Sequence, residues 1–107
     1  MIFSMNSLDQ KGWEKAEGYT DGTMRKVLRD ENGGKTILLK LPKHFHMEAH
    51  SHLHCEQHYV IDGTYTINNI PFTKGSYVRI PTHEEHGNFE SEEGALVLVM
   101  WEPIADN

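Results

Sequence analysis

The chain has 107 residues, the length of a single domain. Hydrophobic residues make up 37% of it and charged residues 24%, which is typical of a folded protein and excludes a disordered one. Its net charge of −6 argues against a nucleic-acid partner, since phosphate binding needs a basic face. No apolar run approaches the roughly 18–20 residues of a membrane span, and the N-terminus lacks a signal-peptide core. The single cysteine, Cys55, excludes an internal disulfide and favours the reducing cytoplasm. We also expect no membrane partner.

The first third of the chain predicts an arm followed by a β-hairpin. Residues 1–10 have no clear period and are expected to form a loose arm or an added strand. Met24–Asp30 and Lys35–Leu41 are short runs rich in β-forming residues. Glu31–Gly34 lies between them and predicts a hairpin turn, because Asn and Gly tolerate positive φ.

Further strands are predicted along the rest of the chain. Gln57–Ile61 and Thr64–Ile70 flank Asp62-Gly63, which predicts a second hairpin. Tyr77–Ile80 is a short strand that ends at a proline. Ala95–Trp101 is apolar at every position, so we expect a strand that is buried on both faces or that meets a partner subunit on one of them.

The fold class follows from this pattern. No window of ten or more residues shows a 3.6-residue apolar period, whereas short strands recur with Gly and Pro between them. We therefore predict an all-β sandwich or barrel that occupies residues 1–107 as one domain.

Histidines are concentrated in the middle of the sequence. All 8 fall between His44 and His86. His50 and His52 are two apart and, on a strand, would point to one face, and Glu56 has the same parity. A closed barrel can return His86 to the same interior. Two or three imidazoles with one carboxylate suit Fe(II), Mn(II), Ni(II), Cu(II) or Zn(II), whereas scattered surface histidines rarely show this spacing.

These residues resemble the two motifs of the cupin family. The first cupin motif, G-x5-H-x-H-x(3–4)-E-x6-G, is matched by His50, His52, Glu56 and Gly63. The second, G-x5-P-x-G-x2-H-x3-N, is matched by Gly75, Pro81 and His86. This chain departs from the motifs at three positions, none of them an expected metal ligand: His44, His83 and Glu90.

The sequence looks most similar to the small ChrR-like cupins. Four segments carry this likeness: Trp13, Thr36–Pro42, Gly75–Pro81 and Ser91–Gly94. The resemblance implies an antiparallel jelly-roll β-barrel, usually a homodimer. It also implies one divalent metal per chain, surrounded by His50, His52, Glu56 and His86.

The sequence gives less support for a functional role of the other histidines and of Cys55. His58 shares the parity of Glu56, so we regard Glu56 and His58 as candidate catalytic residues, with core packing as the alternative for His58. His44, His46, His54 and His83 are expected at the rim or on the surface. Cys55 has the opposite parity and is expected to be a small buried residue that points away from the metal.

Three functions remain open. The first is a non-haem metal-dependent dioxygenase that acts on a small enolisable ketone or aromatic diol, with Glu56 as fourth ligand or proton acceptor. The second is a non-catalytic zinc-binding regulatory or sensor module. An isomerase-type cupin ranks third, because no additional carboxylate and lysine pair supports it.

Overall fold

The computed structural model describes residues 2, 4, 6, 9–48, 55–82, 84 and 87–103. Within these ranges the chain forms nine strands and no helix, so the all-β prediction is confirmed. It follows that no described helix is long and apolar enough to cross a membrane. The strands are β1 (Glu14–Lys15), β2 (Met24–Glu31), β3 (Gly34–Leu41), β4 (Phe45–Met47), β5 (Glu56–Ile67), β6 (Ile70–Thr73), β7 (Tyr77–Ile80), β8 (Phe89–Ser91) and β9 (Ala95–Trp101).

Two antiparallel sheets share the long strand β5. The first half of β5 pairs with β9 and β7, and β9 continues through β3 and β2 to β1. The second half of β5 pairs with β6 and β8, and β8 pairs with β4. A single strand that belongs to both sheets bends the whole assembly around one interior, which is the arrangement of a curled, barrel-like sandwich.

The predicted hairpin between β2 and β3 is present. Its turn residues Asn32 and Gly33 have φ values of 51° and 79°, the left-handed region that a two-residue hairpin of this type requires. Of the first ten residues, the structure describes Ile2, Ser4, Asn6, Asp9 and Gln10, and none of these five lies in a strand.

The hairpin predicted at Asp62-Gly63 is wrong. Strand β5 runs through both residues without reversing. The chain turns later, at Asn68 and Asn69, whose φ values are 53° and 65°. Asparagine tolerates this conformation better than most residues, so the Asn-Asn pair makes the reversal between β5 and β6.

A bulge takes the place of that hairpin. Val60 pairs with Val97 and Asp62 pairs with Leu96, so Ile61 is one extra residue in β5. An extra residue reverses the alternation of side chains along a strand. Inward positions are therefore even-numbered before the bulge and odd-numbered after it. In agreement, the buried residues of β5 are Glu56, His58 and Val60 before the bulge and Tyr65 and Ile67 after it.

The core lies between the two sheets. Ile37 and Leu39 of β3 face Val99 and Val97 of β9 in register, and all four side chains are buried. The other face of β9 is half-buried at Leu96, Leu98 and Met100. The outer face of β9 is thus partly accessible, so burial on both faces is not fully met, and the alternative of a partner subunit on that face stays a prediction.

The backbone around Gly63 leaves no room for a side chain. Gly63 has φ +78°, and an added Cβ would lie 2.5 Å from Gly94 O and 2.8 Å from Ala95 Cα. We expect Gly63→Ala to lower the free energy of unfolding by about 3 kcal/mol, because backbone strain and a clash with backbone atoms add. Urea unfolding followed by tryptophan fluorescence measures the loss.

Gly75 provides the matched control for this substitution. It has φ +92°, but an added Cβ there would meet nothing within 4 Å. We expect Gly75→Ala to cost about 1 kcal/mol, from backbone strain alone. Equal losses for the two variants would show that the contact at Gly94 and Ala95 is unimportant.

Candidate functional site

A buried carboxylate lies at the start of β5. Glu56 is 4% exposed and pairs with Ile80 on β7 and Trp101 on β9. Two residues further on, His58 lies on the same face and is 6% exposed. Its ring nitrogen Nε2 is 2.9 Å from Glu56 Oε1, within hydrogen-bond distance. The alternation of a strand thus brings this acid and this imidazole into direct contact.

Tyr65 extends this contact into a chain of three side chains. Its hydroxyl lies 2.7 Å from Nδ1 of His58. The two residues are seven apart, an odd spacing that would place them on opposite faces of a regular strand. Because the bulge at Ile61 reverses the alternation, both reach the same interior. The Tyr65 ring stacks on Phe89, with 6.2 Å between centroids and 5° between planes.

Together with Tyr19, the three side chains form the polar part of an otherwise apolar pocket. The pocket has a cavity of about 60 Å³ and is partly open to solvent. Such a cavity suits a small ligand with an apolar body and a polar end. It is lined by Tyr19, Leu39, Leu41, Phe45, Met47, Glu56, His58, Tyr65, Phe89, Val97 and Val99.

The negative charge of Glu56 acts on the two tyrosines of the pocket. Burial raises the pKa of the Tyr65 phenol well above its ordinary value, and Glu56 raises it further. The pKa of Tyr19 is raised for the same two reasons in the same order, and Arg25 opposes the shift. Both phenols therefore stay protonated at neutral pH and are available as hydrogen-bond donors.

The structure describes part of the predicted site. It brings Glu56 and His58 together in the pocket, as their shared parity predicted. The other predicted ligands, His50, His52 and His86, lie outside the described residues, and so do His54 and His83. Among the residues that are described, no group of three or more His, Cys, Asp or Glu side chains could hold a metal ion. The four-ligand site therefore stays a prediction.

Two other histidines lie on the surface, where they were expected. Nδ1 of His44 is 3.1 Å from Glu92, and Nε2 of His46 is 3.0 Å from Glu48. Both pairs are largely in contact with solvent. Cys55 is a buried free thiol, which agrees with its predicted role as a small packed residue.

Sequence reasoning missed Tyr65. The prediction assumed that side chains alternate along each strand and that the chain reverses at Gly63. A glycine inside a strand is also typical of a nearby bulge, and Gly63 lies two residues after the extra residue Ile61. With that interpretation of Gly63, Tyr65 would have been placed on the same face as His58.

The chemistry of this donor set fits a divalent transition metal. A carboxylate is a suitable ligand for Fe(II), Mn(II), Ni(II) and Zn(II), and it must be ionised to bind them. The hydrogen bond that His58 makes to Glu56 Oε1 stabilises the ionised form and fixes its orientation. Of the residues described, Glu56 is the one that combines burial, a carboxylate and a position on the pocket wall.

Comparison with known proteins identifies the family. The family model described as the ChrR Cupin-like domain matches residues 5–105. A search of the curated proteins finds no match. The solved structures that share the fold include three proteins whose identity to this chain is 20% or lower.

The first is a chain of the Rhodobacter sphaeroides SigE complex with the anti-sigma ChrR (TM-score 0.75, 20% identity, 89% of this chain and 51% of that chain). The second is an RmlC-like cupin from Shewanella frigidimarina (TM-score 0.77, 20% identity, 96% of this chain and 91% of that chain). The third is an acetylacetone dioxygenase from Acinetobacter johnsonii (TM-score 0.79, 11% identity, 94% of this chain and 74% of that chain). This chain therefore spans about half the length of the chain in the ChrR complex. At such identities the likeness confirms the cupin fold.

The contact between His58 and Glu56 predicts a large effect on stability. We expect His58→Ala to lower the free energy of unfolding by about 2–4 kcal/mol, because it removes a buried partner of the carboxylate. Chemical denaturation of the metal-free protein measures this change. His46→Ala is the control, since it removes a solvent-exposed pair with Glu48 and should cost less than about 0.5 kcal/mol. Similar losses would contradict a stabilising contact in the pocket.

Proposed function

The chain belongs to the ChrR cupin-like family, and we propose that it is a metal-binding cupin with a small-molecule ligand in its interior pocket. The observation that carries the proposal is the buried carboxylate of Glu56, held by His58 at the wall of an apolar pocket. We propose His50, His52, Glu56 and His86 as the ligands of one divalent metal per chain. The metal would be Fe, Mn, Ni or Zn, all of which accept imidazole and carboxylate ligands.

The bound metal would act as a Lewis acid that polarises an oxygen of the ligand. The residues of the chain supply the rest. Glu56 holds the metal or accepts a proton, and His58 shares a hydrogen bond with it through Nε2. Apolar side chains from β3, β8 and β9, such as Leu39, Phe89 and Val97, exclude water from the ligand's hydrocarbon part.

We favour a dioxygenase that acts on a small enolisable ketone or aromatic diol. Substrates of this class have an apolar body and one oxygen-rich end, which matches the mainly apolar pocket with Glu56 at its wall. The fold is shared with an acetylacetone dioxygenase, an enzyme named for a ketone of this class. Glu56 and His58 are the residues that we propose for proton transfer.

The alternative is a non-catalytic regulatory or sensor module that holds zinc. It is supported by the family and by the fold shared with a chain of the SigE–ChrR complex. Zinc has no redox chemistry, and four protein ligands would close its coordination shell. An isomerase-type cupin ranks third. For any of these functions we propose the cytoplasm as the compartment, which suits the free thiol of Cys55.

Metal analysis of protein purified without chelator or affinity tag tests the metal site. We expect about one transition-metal ion per chain, and we expect His52→Ala to lower metal affinity by roughly tenfold or more, because it removes a ligand. The thermal stability that metal addition confers should fall with it. The control is His46→Ala, which removes a surface histidine outside the proposed ligand set. Equal metal content in His52→Ala and the parent would overturn the assignment.

Oxygen uptake in the same preparations separates the enzyme from the module. Iron-loaded protein should consume dioxygen with a panel of β-diketones and catechols, and His52→Ala should not. Tightly held zinc with no uptake would contradict the dioxygenase and favour the regulatory module.

We also propose that the protein is a homodimer. Tyr77, Tyr59 and Leu98 are in register on neighbouring strands and form an apolar row on the outer face of the sheet. Tyr77 is 56% exposed and Tyr59 42%. In a two-fold dimer the same patch meets itself, so a second copy of the chain can cover this row.

Sedimentation velocity tests the dimer. We expect Tyr77→Glu to shift the protein toward monomer, because a charge at an apolar interface must be desolvated. Ile70→Glu is the matched control: Ile70 is 59% exposed but lies on β6, away from the row. A parent protein that sediments as a monomer, or equal effects of both substitutions, would contradict the proposal.

A further inference from the structure

Tyr65 presents a buried phenol hydroxyl to His58. The side chain is 2% exposed, and its ring is packed against Phe72 and Phe89. Among the residues that the structure describes, the hydrogen-bond partner of this hydroxyl is Nδ1 of His58, at 2.7 Å. A hydroxyl buried against aromatic rings loses its bonds to water, so the bond to His58 compensates for that loss.

The direction of each hydrogen bond follows from what each group can donate. An ionised carboxylate only accepts, so the bond between His58 and Glu56 Oε1 requires the proton on Nε2. A neutral imidazole carries one N–H, and Nδ1 is then an acceptor. The Tyr65 hydroxyl is left as the donor to Nδ1. Both hydrogen bonds thus point the same way: Tyr65 donates to His58, and His58 donates to Glu56.

The opposite arrangement leaves the phenol proton without an acceptor among the described residues. If His58 carried a proton on Nδ1, either because it is doubly protonated or because Nε2 accepts from a neutral Glu56, Nδ1–H would donate to the phenol oxygen. The phenol proton would then face the aromatic rings that pack against Tyr65. The raised pKa of Tyr65 keeps the phenol protonated and agrees with its role as donor.

We propose that Tyr65 is a positioning residue that fixes His58 in its Nε2–H tautomer, so that His58 orients the carboxylate of Glu56 toward the metal. The last step rests on the proposed function, in which Glu56 is a metal ligand. The tautomer itself does not depend on that function. Because both ring nitrogens of His58 are engaged, His58 acts through Glu56 and does not bind the metal itself.

Nuclear magnetic resonance of the metal-free protein with ¹⁵N-labelled histidine tests the tautomer. We expect one protonated ring nitrogen in His58, assigned to Nε2, and one unprotonated nitrogen, assigned to Nδ1. The His58 signals are identified by their loss in His58→Gln. In Tyr65→Phe the Nδ1 resonance should move, because its hydrogen-bond donor is gone. A proton on Nδ1, or on both nitrogens, in the unaltered protein would overturn the proposal.

A double-mutant cycle on the affinity for Zn²⁺ alone, measured by chelator competition, tests the positioning role. We expect Tyr65→Phe to weaken binding by roughly three- to tenfold, and His58→Gln by about tenfold or more. In the His58→Gln background, Tyr65→Phe should add less than about twofold, because its effect passes through His58. Tyr59→Phe is the control, since it removes a phenol hydroxyl from the outer face of the same strand.

The outcomes separate the two proposals. If Tyr65→Phe weakens Zn²⁺ binding equally with and without His58, or leaves the affinity unchanged, the positioning role is overturned. A parent protein that binds no Zn²⁺ but shows the Nε2–H tautomer would contradict the metal site and leave the tautomer assignment standing. If Tyr65→Phe does not fold, the tautomer in the unaltered protein still decides whether Tyr65 is the donor.

Discussion

The bulge at Ile61 determines which side chains of β5 face the interior. Without the extra residue, Tyr65 would be on the solvent face and Thr64 and Thr66 would be inside. The hydrogen bond between Tyr65 and His58 exists because the alternation reverses between them. Gly63 lies two residues beyond Ile61, and its positive φ and close approach to Gly94 exclude any side chain there. One strand thereby supplies all three members of the polar chain.

The cost of burying Glu56 explains why three polar side chains lie together. A carboxylate in an apolar pocket loses its hydration, and a charge-assisted hydrogen bond recovers part of that loss. His58 supplies such a bond, but its own second nitrogen then needs a partner, and Tyr65 provides it. In a region of low dielectric such a chain is strong when every member is satisfied and costly when one is missing. The arrangement therefore holds the carboxylate in a fixed position before any ligand arrives.

The sequence predicts much of this fold because its strands follow simple rules. β-rich runs and the Asn32-Gly33 turn correctly placed β2, β3, β7 and β9, and parity correctly paired Glu56 with His58. The prediction from sequence failed at Gly63, because a glycine with positive φ is compatible with a hairpin and with a bulge. Pairing partners in β9 decide between the two, and they are about 35 residues away in the chain. The roles of His50, His52 and His86 stay predictions, since these residues lie outside those described.

The pocket bears on the choice between a catalytic and a structural metal. The same imidazole and carboxylate donors can form a closed zinc site or a site with an open position. A closed site needs no space beside it, because its ligands fill the coordination shell. Here the proposed ligand Glu56 lies on the wall of a pocket with a cavity of about 60 Å³ that is partly open to solvent. Most of the remaining wall is hydrocarbon, from residues such as Leu41, Phe45 and Val99. A partly open, mainly apolar cavity next to a fixed carboxylate favours a site that admits a small ligand, whether the protein transforms that ligand or senses it.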